Sequence, residues 1–233
     1  MPQRQDTHTV INQVPPLVDY NLYELDTALQ EAVVREGAEW SISEIQRFGR
    51  VLGAMEVLKS GELANRYPPE LKTYDRYGHR IDQVEFHPAY HQMMRLGKEH
   101  QVHSIAWTNP RAGHVAHSAL EYLLFQVESG VCCPLTMTYA SVPSIKHNDD
   151  LAALWLPKIT VADYDPRFVP ITDKRSVMIG MAMTEKQGGS DVRANTTMAK
   201  HLQGSTYILP RHRSHCSAQM SVAFLTLANT EKG

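Results

Sequence analysis

The residues at positions 183–192 combine glycines and small hydroxyl side chains that could hold an anion. They follow a run, 177–183, in which every second residue is apolar, so the pattern predicts a strand that ends in a polar loop. The paired glycines Gly188 and Gly189 would let backbone N–H groups approach phosphate oxygens, and the hydroxyls of Thr184 and Ser190 would add donors. A surface turn rich in turn-forming residues is the alternative interpretation.

Other constellations point to chemistry less clearly. The loop lacks both a Gly-Lys-Ser/Thr sequence and a Gly-x-Gly-x-x-Gly fingerprint. His87 and His91 are four residues apart and His114 and His117 are three apart, which can place two imidazoles on one helical face. Since no His-Glu-x-x-His accompanies them, we favour solvated or hydrogen-bonded histidines and predict no metal site.

The loop sequence Met-Thr-Glu-Lys-Gln-Gly-Gly-Ser-Asp-Val resembles the flavin-binding signature of the acyl-CoA dehydrogenase family, whose general form is Thr-Glu-x-x-x-Gly-Ser-Asp. Its Lys-Gln-Gly-Gly version, followed by Arg-Ala-Asn-Thr-Thr at 193–197, is similar to the AidB branch of that family in particular. Upstream segments resemble the same branch, among them Asn-Leu-Tyr at 21–23, Phe-His-Pro at 86–88 and Cys-Pro-Leu-Thr-Met-Thr at 133–138. The resemblance therefore covers nearly the whole chain.

The resemblance implies FAD as the cofactor and assigns roles within the loop. Met183 and Thr184 would meet the pyrimidine side of the flavin, and Gly189 and Ser190 would lie at its pyrophosphate. The carboxylates at positions 185 and 191 also belong to the motif, but a carboxylate beside a pyrophosphate would repel it. We therefore expect both to cap neighbouring N–H groups.

A second flavin segment, at 211–217, departs from the family pattern. Aligned without gaps, His215 occupies the aromatic position that lies against the isoalloxazine, and Ser214 replaces the preceding bulky residue. Ser217 keeps the hydroxyl expected near the N5 and O4 edge. Losing a large aromatic ring would forfeit roughly 0.5–1.5 kcal/mol of stacking. A metal site of His212, His215 and Cys216 is the weaker alternative.

The chemistry implied by the resemblance is removal of an α-proton from an acyl-CoA thioester, with hydride transfer to the flavin. The base of the family lies in a C-terminal helical domain, and no residue here matches its motif, so no catalytic residue is predicted. We expect an N-terminal portion that is inactive alone, with an acyl-CoA-like ligand and homo-oligomers in the full-length family. The alternatives are a DNA-protective protein of the alkylation response, with DNA contacts only in the missing C-terminal region, and a flavin-free interaction module.

Composition is ordinary for a globular protein. Hydrophobic residues make up 42% and charged residues 21% of the 233 residues, and the formal net charge of −2 gives no electrostatic attraction to nucleic acid or anionic membranes. Three cysteines form no disulfide framework, which fits a reducing compartment. With no leader-like start and no run of about 18 apolar residues, we expect a cytoplasmic protein that does not contact a membrane.

The elements that must position the loop are mostly helical. Apolar residues recur at helical spacing in segments beginning near Asp26, Ser41, Pro88, Asn109, Thr136 and Leu151. Ser41 and Glu44 have the spacing of a capping box, and Asn109-Pro110 resembles a cap followed by a proline at the first helical position. Residues 74–86 suggest a turn or short hairpin, and strands are expected at 196–200, 206–209 and 222–227.

These elements predict an α+β protein in two parts. Residues 1–162 are expected to form an all-helical N-terminal domain. Residues 163–233, where prolines and aspartates precede the strands, are expected to begin a flavin-binding domain. By the resemblance, this second domain would be an incomplete antiparallel β-barrel-like middle domain of the acyl-CoA dehydrogenase fold.

Overall fold

A computed structural model describes residues 9–109, 111–210 and 213–230 of the chain. Helices dominate the first two thirds: α1 Thr27–Arg35, α2 Ile42–Leu52, α3 Met55–Arg66, α4 Pro88–Glu99, α5 Ile105–Thr108, α6 Gly113–Phe125, α7 Cys132–Ile145 and α8 Asp149–Thr160. A hairpin of β1 Glu70–Tyr74 and β2 Arg80–Glu85 interrupts them. None of the described helices has the length and hydropathy needed to span a membrane.

The main core lies where α2, α4, α6 and α7 pack together, and its residues follow the predicted helical spacing. The helical spacing predicted for the segment beginning near Asn109 is confirmed in α6, where the apolar stripe of Leu120, Leu123 and Leu124 is fully buried. On α2, Ile45, Phe48 and Leu52 fall on one face at intervals of three and four residues, and all three are fully buried. Burying such side chains contributes about 1.5–3 kcal/mol each.

The helix starting near Ser41 differs from the prediction in two ways. The capping box does not form: the Ser41 hydroxyl donates to the Ala38 carbonyl, and its oxygen accepts no hydrogen bond from an N–H group at the start of α2. The segment also splits into α2 and α3 at Gly53, where an added Cβ would lie 1.8 Å from the Tyr20 carbonyl oxygen. Asp19 then accepts a hydrogen bond from the Met55 N–H at the start of α3, at 3.0 Å.

A helix begins near Asn109-Pro110 as predicted, but Asn109 is not its cap. Asn109 is the C-cap of α5, and α6 begins at Gly113 after Ala112, whose φ is +49°. Pro110 itself lies outside the described residues. The start at Pro88 is confirmed, because His87 caps α4 by accepting a hydrogen bond from the Ala89 N–H through its Nδ1 atom.

The predicted hairpin is confirmed, with β1 and β2 antiparallel and Leu71 opposite Val84. Its turn is closed by Asp75, whose carboxylate accepts hydrogen bonds from the Tyr77 and His79 N–H groups at 2.8 and 2.9 Å. Gly78 has a φ of +85°, a conformation that residues with a Cβ rarely adopt.

The C-terminal strands form pairs: β3 Ile179–Ala182 with β8 Ala223–Thr226, β4 Thr184–Glu185 with β7 Arg213–Ser214, and β5 Lys200–Gln203 with β6 Thr206–Ile208. The β3–β8 pair is parallel, which corrects the expectation of an antiparallel domain, whereas the other two pairs are antiparallel. Within the described part of the chain, the strands form two-stranded sheets and do not close into a barrel. The α+β class is confirmed.

A second buried cluster joins the last helices to β3. Val142 and Ile145 of α7 and Ile159 of α8 pack with Val177 and Ile179. The Thr138 hydroxyl accepts a hydrogen bond from the Ile179 N–H at 3.1 Å, which fixes the register of β3 against α7. The strand that leads to the 183–192 loop is therefore held by the helices beneath it.

Candidate functional site

The loop expected to hold an anion follows β3 as predicted. β3 ends at Ala182, and β4 covers only Thr184 and Glu185 before the chain turns. Gly188 has a φ of +137°, and its N–H donates to the Glu185 carbonyl at 3.1 Å, which closes the turn. Residues 186–190 are exposed, so this turn presents its glycines and the Ser190 hydroxyl to solvent.

Glu185 fixes the loop through hydrogen bonds to the segment at 196–197. Its carboxylate accepts hydrogen bonds from the Thr196 N–H at 3.0 and 3.1 Å and from the Thr197 N–H at 2.7 Å. The Thr197 hydroxyl and the Gln187 amide also donate to it. These hydrogen bonds hold the pKa of Glu185 well below its usual range, and the bond from the Thr196 N–H has the largest effect. The predicted capping role is confirmed, and a group so strongly held as a carboxylate is a poor general base.

Asp191 also has the predicted structural role. Its side chain accepts a hydrogen bond from the Arg193 N–H at 3.1 Å and caps the short 3-10 turn Val192–Ala194. The carboxylate is thereby directed to the chain that follows the loop.

Asn195 positions the loop, and sequence reasoning missed it. Its side-chain amide donates to the Met183 carbonyl at 2.9 Å, and its own carbonyl accepts from the Asn229 side chain at 2.9 Å. Asn195 is buried although it follows an exposed turn. An asparagine shortly after the signature could have indicated this role. Its side chain can reach back to the backbone of Met183, the first residue of the loop.

Gly189 permits a close approach between the two ends of the loop. A Cβ added at Gly189 would lie 2.8 Å from the Thr184 hydroxyl oxygen, a separation that real Cβ atoms essentially never show. Thr184 is half-buried, whereas Gly189 and Ser190 are exposed. The structure thus brings two of the predicted donors, Thr184 and the 189–190 backbone, to one side of the loop.

The second predicted flavin segment lies directly beside the first. β4 and β7 pair with Thr184 opposite Ser214, so the two predicted binding segments share a two-stranded antiparallel sheet. His215 is exposed and has a φ of +56°, and its Nδ1 atom lies 3.1 Å from the Ser214 hydroxyl. Ser217 is half-buried. Arg211 and His212 fall outside the described residues.

A groove of about 440 Å³ separates this segment from the helices, and we call it the aromatic groove. One wall carries the rings of Tyr67, Phe86 and Tyr90, with Glu128 and Cys133 beside them. Residues 215–219 form the opposite wall, so His215 and Ser217 face a cavity large enough for a ligand. Sequence reasoning missed this groove, because its walls come from segments more than 80 residues apart.

Three of the paired histidines lie within hydrogen-bonding distance of tyrosine hydroxyls or backbone carbonyls. His91 lies 2.7 Å from the Tyr164 hydroxyl, and His114 lies 2.6 Å from the Tyr139 hydroxyl. His117 Nδ1 lies 2.6 Å from the Val102 carbonyl, and its Nε2 lies 3.2 Å from Glu121. In the described ranges, no three His, Cys, Asp or Glu side chains are arranged to hold a metal ion.

The residues present fit FAD on the phosphate side and only partly on the ring side. The exposed turn with Gly189 and Ser190 offers backbone N–H groups and a hydroxyl without an intervening side chain, which suits a pyrophosphate. Thr184 and Ser217 supply half-buried hydroxyls on the two paired segments. On the ring side the predicted contact is the exposed His215, and an imidazole would stack on a flavin less strongly than a larger aromatic ring.

The fold is shared with two solved structures. It matches the structure titled Bd2924 apo-form with a TM-score of 0.76 at 24% identity, over 95% of this chain and 44% of that chain. It also matches Caenorhabditis elegans ACDH-11 in complex with C11-CoA, with a TM-score of 0.75 at 23% identity, over 99% of this chain and 40% of that chain. At these identities the likeness establishes the fold alone.

Sequence comparison identifies the branch. Residues 12–166 match the family of the adaptive response protein AidB N-terminal domain. AidB of Escherichia coli (strain K12) is 44% identical over 230 residues, which are 97% of this chain and 42% of AidB. Acyl-CoA dehydrogenase family member 11 of Caenorhabditis elegans is 28% identical over 191 residues, which are 80% of this chain and 30% of that protein.

The helical fold and the loop sequence together define an acyl-CoA dehydrogenase-like protein. Within that class the chain belongs to the AidB family, as the resemblance of the 183–197 segment predicts. It spans less than half of the length of the curated relatives that it matches.

Proposed function

We propose that this chain is the N-terminal portion of an FAD-dependent, acyl-CoA dehydrogenase-like oxidoreductase that acts on CH–CH groups. The observation that carries the proposal is the pairing of β4 with β7, which sets Thr184 opposite Ser214 and so joins both flavin segments in one sheet. In the sequence these segments are about 30 residues apart, and a shared site requires that they meet.

The phosphate side of the cofactor would be held at the exposed turn. Gly189 leaves room for a close approach of its backbone, and the Ser190 hydroxyl adds a donor. The buried carboxylate of Glu185 accepts hydrogen bonds from the Thr196 and Thr197 N–H groups, and these donors offset the negative charge that would otherwise repel a pyrophosphate.

The ring side would be held by four residues. Met183 and Thr184 would contact the pyrimidine edge, with Met183 fixed through its carbonyl by Asn195. His215 would lie against the isoalloxazine, and the Ser217 hydroxyl would donate to its edge. FAD, when bound, would supply the hydride acceptor, and the protein would supply position and hydrogen bonds.

The substrate class would be an acyl-CoA thioester. Caenorhabditis elegans ACDH-11, whose fold this chain shares, is solved in complex with C11-CoA. No residue of this sequence matches the family's catalytic base, so we propose that the chain alone does not turn over an acyl-CoA. We further propose a division into an N-terminal helical domain, 1–162, and a flavin-binding domain, 163–233. Full-length assemblies would be homo-oligomeric and cytoplasmic.

A titration with FAD tests the site. Adding FAD to the apoprotein should quench flavin fluorescence, and Gly189→Leu should abolish the quenching because its side chain would collide with Thr184. Ser205→Leu, in the exposed turn between β5 and β6, is the matched control and should bind like the wild type. Equal FAD binding by Gly189→Leu and the wild type would refute the assignment.

A flavin-free interaction module is the second candidate, and the exposed imidazole at His215 favours it. The same titration separates the two functions. Absence of FAD binding by a folded wild-type chain, with unchanged helical circular dichroism, would select the module.

A further inference from the structure

A second cavity, of about 350 Å³, is lined by residues 167–170 and Lys174, which follow α8, and by residues 220–222, which precede β8. We call it the Lys174 cavity. It shares no lining residue with the aromatic groove, so a ligand bound here would not occupy the space beside His215. Its volume falls in the range of small-molecule pockets.

Lys174 brings a positive charge to this cavity. The residue is 7% exposed, and its ammonium donates to the Asp165 and Arg167 carbonyls at 2.9 and 2.6 Å. An ammonium has three N–H donors, so one of them has no acceptor among the described residues. Burial lowers the pKa of Lys174, although the Asp165 carboxylate opposes this effect. The negative charge nearby therefore does not compensate for the desolvation of the ammonium, and a bound anion would.

The other cation of the lining is already paired. The Arg167 guanidinium donates to the Asp165 carboxylate at 2.8 and 2.6 Å and to the Asp173 carbonyl at 2.7 Å. No Asp or Glu from the described ranges lines the cavity, so the charge of Lys174 has no counter-charge in the lining. The Ser221 hydroxyl adds a donor, because its oxygen is buried and has no hydrogen-bond partner in the described part of the chain.

The rest of the lining is apolar and includes an open aromatic ring. Phe168 is 68% exposed, and Val169, Pro170, Met220 and Val222 also line the cavity. Aromatic rings attract one another in offset-stacked or edge-to-face arrangements, and a methionine sulfur packs favourably against a ring edge. A single positive group beside an apolar, ring-bearing surface fits a ligand that has one carboxylate and one aromatic ring.

We propose that the Lys174 cavity binds a small aromatic carboxylate. The carboxylate would accept hydrogen bonds from the remaining N–H of Lys174 and from the Ser221 hydroxyl, and the ring would lie against Phe168. Hydrogen bonds between charged groups are about twice as strong as those between neutral ones. The site goes beyond the proposed flavin function, and binding there does not require FAD.

Phenylacetate and phenylacetamide test the role of the charge, because they have nearly the same size and differ in the carboxylate. Calorimetric titration of the chain at pH 7 should show phenylacetate binding at least about tenfold more tightly. Acetate, which lacks the ring, should bind more weakly than phenylacetate. Equal affinities for phenylacetate and phenylacetamide, no phenylacetate binding, or equally tight binding of inorganic phosphate would overturn the proposal.

Lys174→Met should make the affinities for phenylacetate and phenylacetamide nearly equal, because it removes the ammonium and keeps a similar shape. Lys158→Met is the matched control: Lys158 also donates to backbone carbonyls of this segment, those of Ile171 and Lys174, but does not line the cavity. This control should keep the preference for phenylacetate, since a variant that only loosened the cavity would weaken both ligands together. A preserved preference in Lys174→Met would refute the location.

Two further variants leave the hydrogen bonds of Lys174 intact. Ser221→Ala should weaken phenylacetate binding about fivefold, and Phe168→Leu should reduce the preference for phenylacetate over acetate. Ser205→Ala and Phe125→Leu, at exposed positions elsewhere, are their controls and should change neither. Unchanged binding of all three ligands in both Ser221→Ala and Phe168→Leu would also refute the site. FAD titrations of the same proteins report separately on the flavin proposal, because the cavity shares no lining residue with the aromatic groove.

Discussion

The ammonium group of Lys98 is fully buried and donates to the Ile159 carbonyl at 3.2 Å, near the end of α8. A helix end leaves carbonyls without intrahelical partners, so this bond satisfies one of them. Burial disfavours the charged form and lowers the pKa of Lys98 to about 7, against an attraction to Asp163 that raises it. The contact therefore joins α4 to α8 at the cost of desolvating a charge.

Lys98→Met should raise the free energy of unfolding near pH 7 by about 1–4 kcal/mol, because it removes a buried charge and keeps a similar shape. Since the pKa of Lys98 is lower in the folded state, the unfolded state binds more protons above pH 7. Wild-type stability should therefore rise from pH 7 toward pH 10, and the variant should lack this rise. Urea unfolding at several pH values measures both, with the exposed Lys59→Met as the control. A parallel pH profile in Lys98→Met would contradict the assignment.

Glu185→Gln should loosen the loop without disturbing the helices, because an amide oxygen is a weaker acceptor for the N–H groups at 196 and 197. The folded-state pKa of Glu185 is lowered, so its stabilising effect is present above about pH 4.5 and is lost as the pH falls further. The variant should show a smaller acid-induced loss of stability and faster amide hydrogen exchange at 185–197. Glu62→Gln, on the exposed face of α3, serves for comparison. Unchanged exchange in the loop would count against the anchor.

Phe48→Ala should lower the free energy of unfolding by about 3–5 kcal/mol, since it opens a cavity in the main core. Phe48 is fully buried and stacks on His100 with centroids 4.4 Å apart. Val34→Ala, at an exposed position of α1, should change stability little. Chemical denaturation monitored by circular dichroism measures the free energy of unfolding of both variants. A smaller loss of stability in Phe48→Ala than in Val34→Ala would show that Phe48 does not belong to the main core.

Affinity for duplex DNA should stay at the non-specific background at physiological salt. The net charge of −2 offers no excess of cations to neutralise phosphates, and that neutralisation supplies much of the affinity of DNA-binding proteins. A gel shift across a range of NaCl concentrations measures it. Tight binding with a steep dependence on salt would favour the DNA-protective alternative.

The purified chain should be colourless or faintly yellow and should not oxidise a short branched acyl-CoA, even with added FAD. The imidazole of His215 replaces a larger ring, and no residue of the sequence matches the family's base. Flavin absorbance at about 450 nm after dialysis, followed by electron transfer to an artificial acceptor, tests both parts. Stoichiometric flavin with turnover would show that a base lies within these 233 residues.

The family, the α+β class and the elements with strong local signals could be predicted from the amino-acid order. The α6 stripe, the α4 start at Pro88 and the 74–86 hairpin follow from apolar spacing, a proline and a turn sequence, all of which act within a few residues. The structural role of Glu185 was also predictable, because a carboxylate in a phosphate-binding loop must find N–H partners close by.

The features that depend on distant residues could not be predicted in this way, because they arise only when the chain folds. Glu44 had a local option as a capping residue, but its carboxylate lies 2.7 Å from His100, which is 56 residues away. The continuous apolar pattern is split at Gly53, where only a residue without a Cβ leaves room for the Tyr20 carbonyl. The parallel β3–β8 pairing and the aromatic groove likewise join segments that no local pattern connects. Long-range contacts outweighed local preference at these sites because packing and buried polar groups contribute more free energy than a single cap or an uninterrupted helix.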